Sequence, residues 1–198
     1  MPQYTVIGNL STRAARPVWM LEELGVPYEL VSVKPHAEDV VRHYPRGKVP
    51  VLLVDGEPIT DSTAILQYLA DSHQRFTAPA GTLARARQDA LQQCVLDEFD
   101  AVLWTAARHS FILPAEHRVP AVKDSLKWEF ARNQVSLAKR MGDNPFLTGE
   151  AFTIADIVLA HCLIWARAAR FEITEPKLLA YLERMQQRPA YARAMNPQ

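Results

Sequence analysis

Asp61-Ser62 stands directly before the apolar-periodic run Ala64-Ile65-Leu66-Gln67-Tyr68-Leu69, so a helix begins at or just after Ser62. The first N–H groups of that helix have no internal partner and lie at the positive end of its dipole, which favours a carboxylate there. Ser62 adds a hydroxyl donor and Asp61 can hold an ammonium, so the pair suits the zwitterionic end of an amino acid. In isolation Asp61 or Ser62 reads first as only a helix cap. The residues upstream favour a site. Val49-Pro50 precedes the apolar run Val51–Val54, and Asp55-Gly56 turns the chain into Pro58-Ile59-Thr60. Proline fixes the backbone ahead of that strand, and a cis bond at Val49-Pro50 lets Val49 offer its N–H and C=O outward. Gly47 to Leu69 therefore reads as a ligand-binding half-site.

Other reactive side chains are scattered. His36, His43, His73, His109, His117 and His161 form no metal-ligand spacing, and Cys94 and Cys162 form no CxxC pair. Both cysteines fall among apolar helical positions and read as inert packing. His161, in an apolar helix, reads as a hydrogen-bonded core residue.

The elements that must position the half-site follow from periodicity. Tyr4–Ile7 is a short strand ending at Gly8, and Ala14 to Leu24 is a helix stopped by Gly25. Tyr28 to Val33 is a second strand, parallel to the first because a helix joins them. With a short helix from Ala37 to His43, the hairpin and the Ser62 helix, the order is β-α-β-α-β-β-α, a thioredoxin-like arrangement over residues 1–76. Thr77 to Thr82 is a breaker cluster, and beyond it strand signals vanish. Residues 83–198 read as an all-helical domain: a long helix from Leu83 to about Ser110, another from Pro120 to Met141, and a third opened by Thr153-Ile154-Ala155-Asp156. That last motif is a capping box, with Phe152 and Ile157 placed as a hydrophobic staple. Pro176 to Arg188 is the final long helix.

With 198 residues and 48% hydrophobic content, the chain can bury a substantial core. Lys and Arg number 22, as do Asp and Glu, and the first 80 residues hold 7 and 9 of them, so neither half is a basic arm for nucleic acid. The start of the chain lacks a secretory pattern, and the longest apolar run, Ile157 to Ala166, is too short to span a bilayer. A protein of the cytoplasm, without membrane partner, is expected.

Tyr44-Pro45-Arg46-Gly47-Lys48-Val49-Pro50, followed by Asp61-Ser62, resembles the glutathione-binding segment of the glutathione S-transferase family, in which an N-P-x-G-x-V-P pattern and a Glu/Asp-Ser pair cradle the tripeptide. Tyr44 stands where the family usually has Asn, and Asp61 where Glu is commoner; neither change removes a binding group. The phrase Leu10-Ser11-Thr12-Arg13-Ala14 resembles the serine-type, bacterial-like classes. The resemblance implies a thioredoxin-like N-terminal domain with an all-α C-terminal domain, glutathione as co-substrate without a metal, and a homodimer built on the Leu83 and Ser62 helices. It implies glutathione contacts from Lys48, Val49, Pro50, Asp61, Ser62 and His36, and a sulfur contact from Ser11, with Thr12 and Asn9 as substitutes. Ser11 or Thr12 could equally cap the first helix. Tyr4, inside the first strand, resembles the tyrosine of other classes only loosely. Leu10, Trp104, Arg108, Phe111 and Trp165 are the implied electrophile pocket, on the expectation that the long second-domain helix faces the first domain.

A free thiol with a pKa of about 8.5 is only about 3% ionised at pH 7, and lowering it by about two units takes about 2.7 kcal/mol of preferential stabilisation. A hydroxyl donor to charged sulfur contributes roughly 1.5–3 kcal/mol and a helix N-terminus up to about 2, so no base is needed. Conjugation of the thiolate to small hydrophobic electrophiles is the expected activity. A non-catalytic scaffold and a glutathione-dependent isomerase or peroxidase remain the alternatives.

Overall fold

The computed structural model describes residues 2–197. The chain divides into two compact units: one holds the chain up to Pro79 together with the segment from Gln186 onward, and the other holds Ala80–Met185.

In the first unit, β1 (Tyr4–Ile7), α1 (Ala15–Leu24), β2 (Glu29–Val31), α2 (Glu38–Val41), β3 (Val51–Val54), β4 (Glu57–Thr60) and α3 (Ser62–His73) follow in order. The strands form one mixed sheet in the order β2-β1-β3-β4. β1 and β2 are parallel, as a helical crossover requires, and β3 runs antiparallel to β1 and β4. Val6, Leu52, Val18, Leu21, Ile65 and Leu69 are fully buried, so the sheet and the inner faces of α1 and α3 supply the core. Gly25 ends α1 at φ 70°, its N–H donating to Leu21 O, a conformation glycine adopts without a Cβ penalty.

The second unit is helical. α4 (Leu83–Val95), a π-turn (Leu96–Asp100), α5 (Ala101–Ala107) and a second π-turn (Arg108–Ile112) make one continuous rod. It is the long helix that periodicity predicts, but each π-turn inserts a residue and shifts the buried stripe, so Phe99 and Asp100 are buried side by side. Before the first π-turn the buried stripe of α4 is Gln88, Gln92 and Val95, so Cys94 lies half-buried beside it instead of within it, its thiol pKa pushed up by burial and then by Glu98. Cys162 is buried. A short 3₁₀ turn (Ala115–His117) leads to α6 (Val122–Met141), α7 (Ile154–Ala168) and α8 (Pro176–Gln186). Phe99, Phe130 and Phe171 stack edge-on in a chain, with centroids 5.3 and 5.5 Å apart. α7 opens with the Thr153–Asp156 capping box, and ten of its residues, from Ile154 to Ala166, are buried.

A ninth helix, α9 (Pro189–Met195), was not legible in the sequence, where Pro189 reads as a terminator. Proline without an N–H fits the first helical position as well as it ends a preceding helix, and here it does both. α9 returns to the first unit and packs on α1. Trp19 and Tyr191 meet edge-on at 4.9 Å, Glu23 accepts from Arg188 Nε and Nη2 at 2.6 and 2.8 Å, and Glu22 accepts from Arg193 Nε at 2.7 Å.

Among the described residues no helix is long and apolar enough to cross a membrane, and no group of three or more His, Cys, Asp or Glu could hold a metal ion.

Candidate functional site

Sheet register gathers the half-site. Ile7 pairs with Val31 on one side and with Val51 on the other, and Val51 pairs with Thr60. The segments after β1 and β2, the segment before β3 and the start of α3 therefore all emerge at one end of the sheet. Side-chain and backbone hydrogen bonds stitch them together. Asn9 Nδ2 donates to Val33 O at 3.3 Å, and His36 N donates to Gly47 O at 2.8 Å. Gly8, at φ 139°, lets the end of β1 approach the loop before β3: a Cβ there would stand 2.9 Å from Ala14 Cβ and 3.0 Å from Val49 Cβ. Gly47, at φ 66°, is covered by the His36 ring, which any Cβ would strike. The sequence marks Gly8 as a strand end and Gly47 as part of the motif at residues 44–50, but not the close approach that each allows, which is a property of partners distant in the chain.

The Val49-Pro50 bond is cis. Val49 is half-buried, Pro50 buried, and Lys48 and His36 exposed. Asp61 occupies the N-cap of α3, its Oδ1 accepting from Thr63 N at 2.8 Å and Ala64 N at 3.1 Å. Its backbone sits at φ 72°, ψ 123°, a region costly for a residue with a Cβ and one that clusters at ligand sites. Among the described residues its Oδ2 takes no protein hydrogen bond. Cap and ammonium partner are thus compatible roles for one carboxylate. Ser62 is buried, and its Oγ accepts from Arg16 Nη1 at 3.1 Å. Arg16 escaped the sequence reading, although Arg16, Met20 and Leu24 share one stripe of α1, which marks the arginine as inward-facing.

Between β1 and α1, Ser11 and Thr12 part company. Thr12 Oγ1 donates to Asn9 O at 2.7 Å and accepts from Ala14 N at 3.2 Å, holding the turn. Ser11 is exposed, and its Oγ donates to Asn9 Oδ1 at 2.6 Å. Neither is the N-cap of α1, which is Ala14 without a side-chain cap bond. Leu10 is half-buried in the same turn. Tyr4 lies at the opposite end of β1, paired with Val54; its buried phenol hydrogen-bonds His73 Nε2 at 3.0 Å, and burial raises its pKa.

The remaining candidates belong to the second unit. Trp104 is half-buried on α5, Arg108 Nη2 donates to Thr105 Oγ1 at 2.9 Å, Phe111 is 66% exposed, and Trp165 is half-buried on α7 beside His161.

Family models for the glutathione S-transferase N-terminal domain and C-terminal domain match residues 10–72 and 136–184. The chain belongs to the glutathione S-transferase family. Among its relatives, this family member is 28% identical to glutathione S-transferase GstA of Escherichia coli O157:H7 over 186 residues, 89% of each chain. It is 29% identical to maleylacetoacetate isomerase of Rhizobium meliloti over 166 residues, 80% of this chain and 76% of the relative. A solved glutathione transferase from Methylococcus capsulatus superposes with a TM-score of 0.85 at 28% identity, covering 97% of both chains. A sphingomonad glutathione S-transferase solved with glutathione gives 0.83 at 26% identity, covering 96% of both. The transferase family's two-domain order, a thioredoxin-like sheet unit followed by helices, is the architecture described above.

Proposed function

We propose that this chain is a glutathione transferase that binds glutathione at the sheet end formed by Asn9, Ser11, Val49, Asp61 and Ser62, and attacks small hydrophobic electrophiles with the thiolate. The observation that carries this reading is the half-used start of α3, with a free Asp61 oxygen beside the Ser62 hydroxyl, at the same sheet end as the exposed Ser11. Asp61 Oδ2 receives the γ-glutamyl ammonium, and Ser62, through its hydroxyl and its own N–H at the positive end of α3, receives its carboxylate, since Thr63 N and Ala64 N are taken by Asp61 Oδ1. Val49 pairs with the cysteinyl backbone, and Lys48 and His36 face the glycine carboxylate. The relative solved with glutathione supports the ligand assignment.

Ser11 is the thiolate donor. Its hydroxyl hydrogen, parked on Asn9 Oδ1, turns to the sulfur, while the Thr12 hydroxyl is committed to the turn. The Ser11 N–H, which no protein acceptor takes among the described residues, is a second donor. The thiol proton leaves to solvent, and the sulfur lone pair forms the new bond to the electrophilic carbon, which gives up either a leaving-group anion or, in an addition, its π-bond electron pair to a proton from solvent. Within the second unit, Trp104, Phe111 and Trp165 are the apolar candidates for holding the electrophile, with Arg108 as their charged member; within the first, Leu10 lies in the same turn as Ser11. The working form is a cytoplasmic homodimer joined through α3 and α4, where Leu83 is 75% exposed.

A pH titration of the ultraviolet thiolate absorbance of bound glutathione, in wild type and Ser11→Ala, tests this. A wild-type pKa near 6 to 7 that returns towards about 8.5 in the variant is expected. Binding without a depressed pKa in either protein overturns the transferase mechanism; a depressed pKa in both moves the donor to Asn9 or the backbone.

A further inference from the structure

Arg16 is 1% exposed within α1, and the Ser62 that it meets is 3% exposed. Arginine offers only donors and keeps its charge, whereas a serine hydroxyl has one hydrogen and two lone pairs. The Arg16 Nη1 bond therefore occupies a lone pair of Ser62 Oγ, and the Ser62 hydrogen must look for an acceptor elsewhere. Among the described residues Ser62 Oγ makes no second hydrogen bond, so its hydrogen is available to a ligand. A permanent positive charge in a poorly solvated position also acts on a nearby anion with little screening. We infer that Arg16 is a positioning residue for the ligand's carboxylate: it fixes Ser62 as a donor and backs the carboxylate subsite with charge. This rests on the glutathione reading and deepens it. The ligand group concerned is the α-carboxylate of the γ-glutamyl residue, the acidic half of the zwitterion whose ammonium falls to Asp61.

An arginine that only ties α1 to α3 is indifferent to the charge of the ligand, and that indifference is measurable. Wild type, Arg16→Gln, Arg16→Lys and Ser62→Ala are titrated calorimetrically with glutathione and with γ-aminobutyryl-Cys-Gly, which lacks that carboxylate, after circular dichroism has established folding. Wild type should prefer glutathione by about tenfold to a hundredfold, the effect of a hydrogen bond to a charged group. R16Q and S62A should bring the ratio to within about threefold of unity, and R16K, which keeps charge without the planar fork, should fall between. Full discrimination retained in R16Q overturns the role of Arg16 alone. Should R16Q fail to fold, S62A decides: discrimination equal to wild type overturns the arrangement, because the hydroxyl then carries no carboxylate. A wild type that binds neither tripeptide brings down the glutathione reading and this role with it.

Discussion

At the start of α7, both oxygens of Asp156 are used inside the protein. Oδ1 accepts from Leu147 N at 2.7 Å and Tyr181 Oη at 2.9 Å, and Oδ2 accepts from Thr153 N at 2.8 Å and Thr153 Oγ1 at 3.2 Å. At the start of α3, Asp61 uses one oxygen, stays exposed and holds a left-handed backbone angle. The two helix starts look alike in sequence, each an acidic side chain with a hydroxyl residue near the first turn. They differ in saturation. An N-terminus whose groups are all partnered and buried stabilises the fold, while one with a half-used carboxylate, a donor hydroxyl and stored backbone strain has capacity left for a ligand.

Removing each acid should separate the two roles most strongly. Asp156→Ala leaves two buried N–H groups without acceptors and the Tyr181 phenol with only its 3.3 Å bond to the residue-156 carbonyl, and should cost about 3–5 kcal/mol by urea denaturation. A loss below about 1 kcal/mol would erase the contrast. Asp61→Asn keeps the capping oxygen but removes the charge, so glutathione affinity should fall about tenfold while stability changes by less than about 1 kcal/mol. Calorimetric titration paired with a melt checks both halves.

A pH series sharpens the α7 side. Burial raises the Asp156 carboxyl above its ordinary 3.8, against the opposing pull of its hydrogen bonds. The folded state then holds a proton more readily than the unfolded chain. The favourable contribution is complete below pH 3.8 and is lost as pH rises through the raised value. Wild type should therefore lose ground to Asp156→Asn as pH rises from about 4 towards neutrality. A constant gap between the two melting curves would show the folded and unfolded values to be equal. The smallest effect belongs to Asp61→Gly. Glycine relieves the φ of 72° and replaces a capping residue at a cost of only a few tenths of a kcal/mol, so stability should stay within about 0.5 kcal/mol of wild type. Destabilisation well beyond that would make Asp61 a structural cap like Asp156.

Much of this was legible before any coordinates. Alternating and helical apolar spacing marked β1, α1, the β3–β4 hairpin, α3 and the capping box of α7, because these depend on neighbours a few residues away. Segment composition carried Val49-Pro50 and Asp61-Ser62 to one half-site for the same reason. What escaped depends on distant partners. α9 forms because Glu22, Glu23 and Trp19 of α1 await Arg188, Tyr191 and Arg193. The first π-turn lies where the rod packs on α6 and α7, and spacing by itself cannot show an inserted residue.

The sequence by itself determined the order of the strands and main helices up to α8, the family and the residue types available for binding a thiol-bearing tripeptide, since local pattern and turn chemistry are written in consecutive residues. Only the tertiary structure decided which hydroxyl is committed to a turn and which is exposed, which acid is saturated and which is half-used, and that a buried arginine stands behind Ser62. Hydrogen bonds are directional and short-ranged, so the role of a polar side chain is settled by the partner that the fold brings within about 3 Å, and that partner can lie anywhere in the chain.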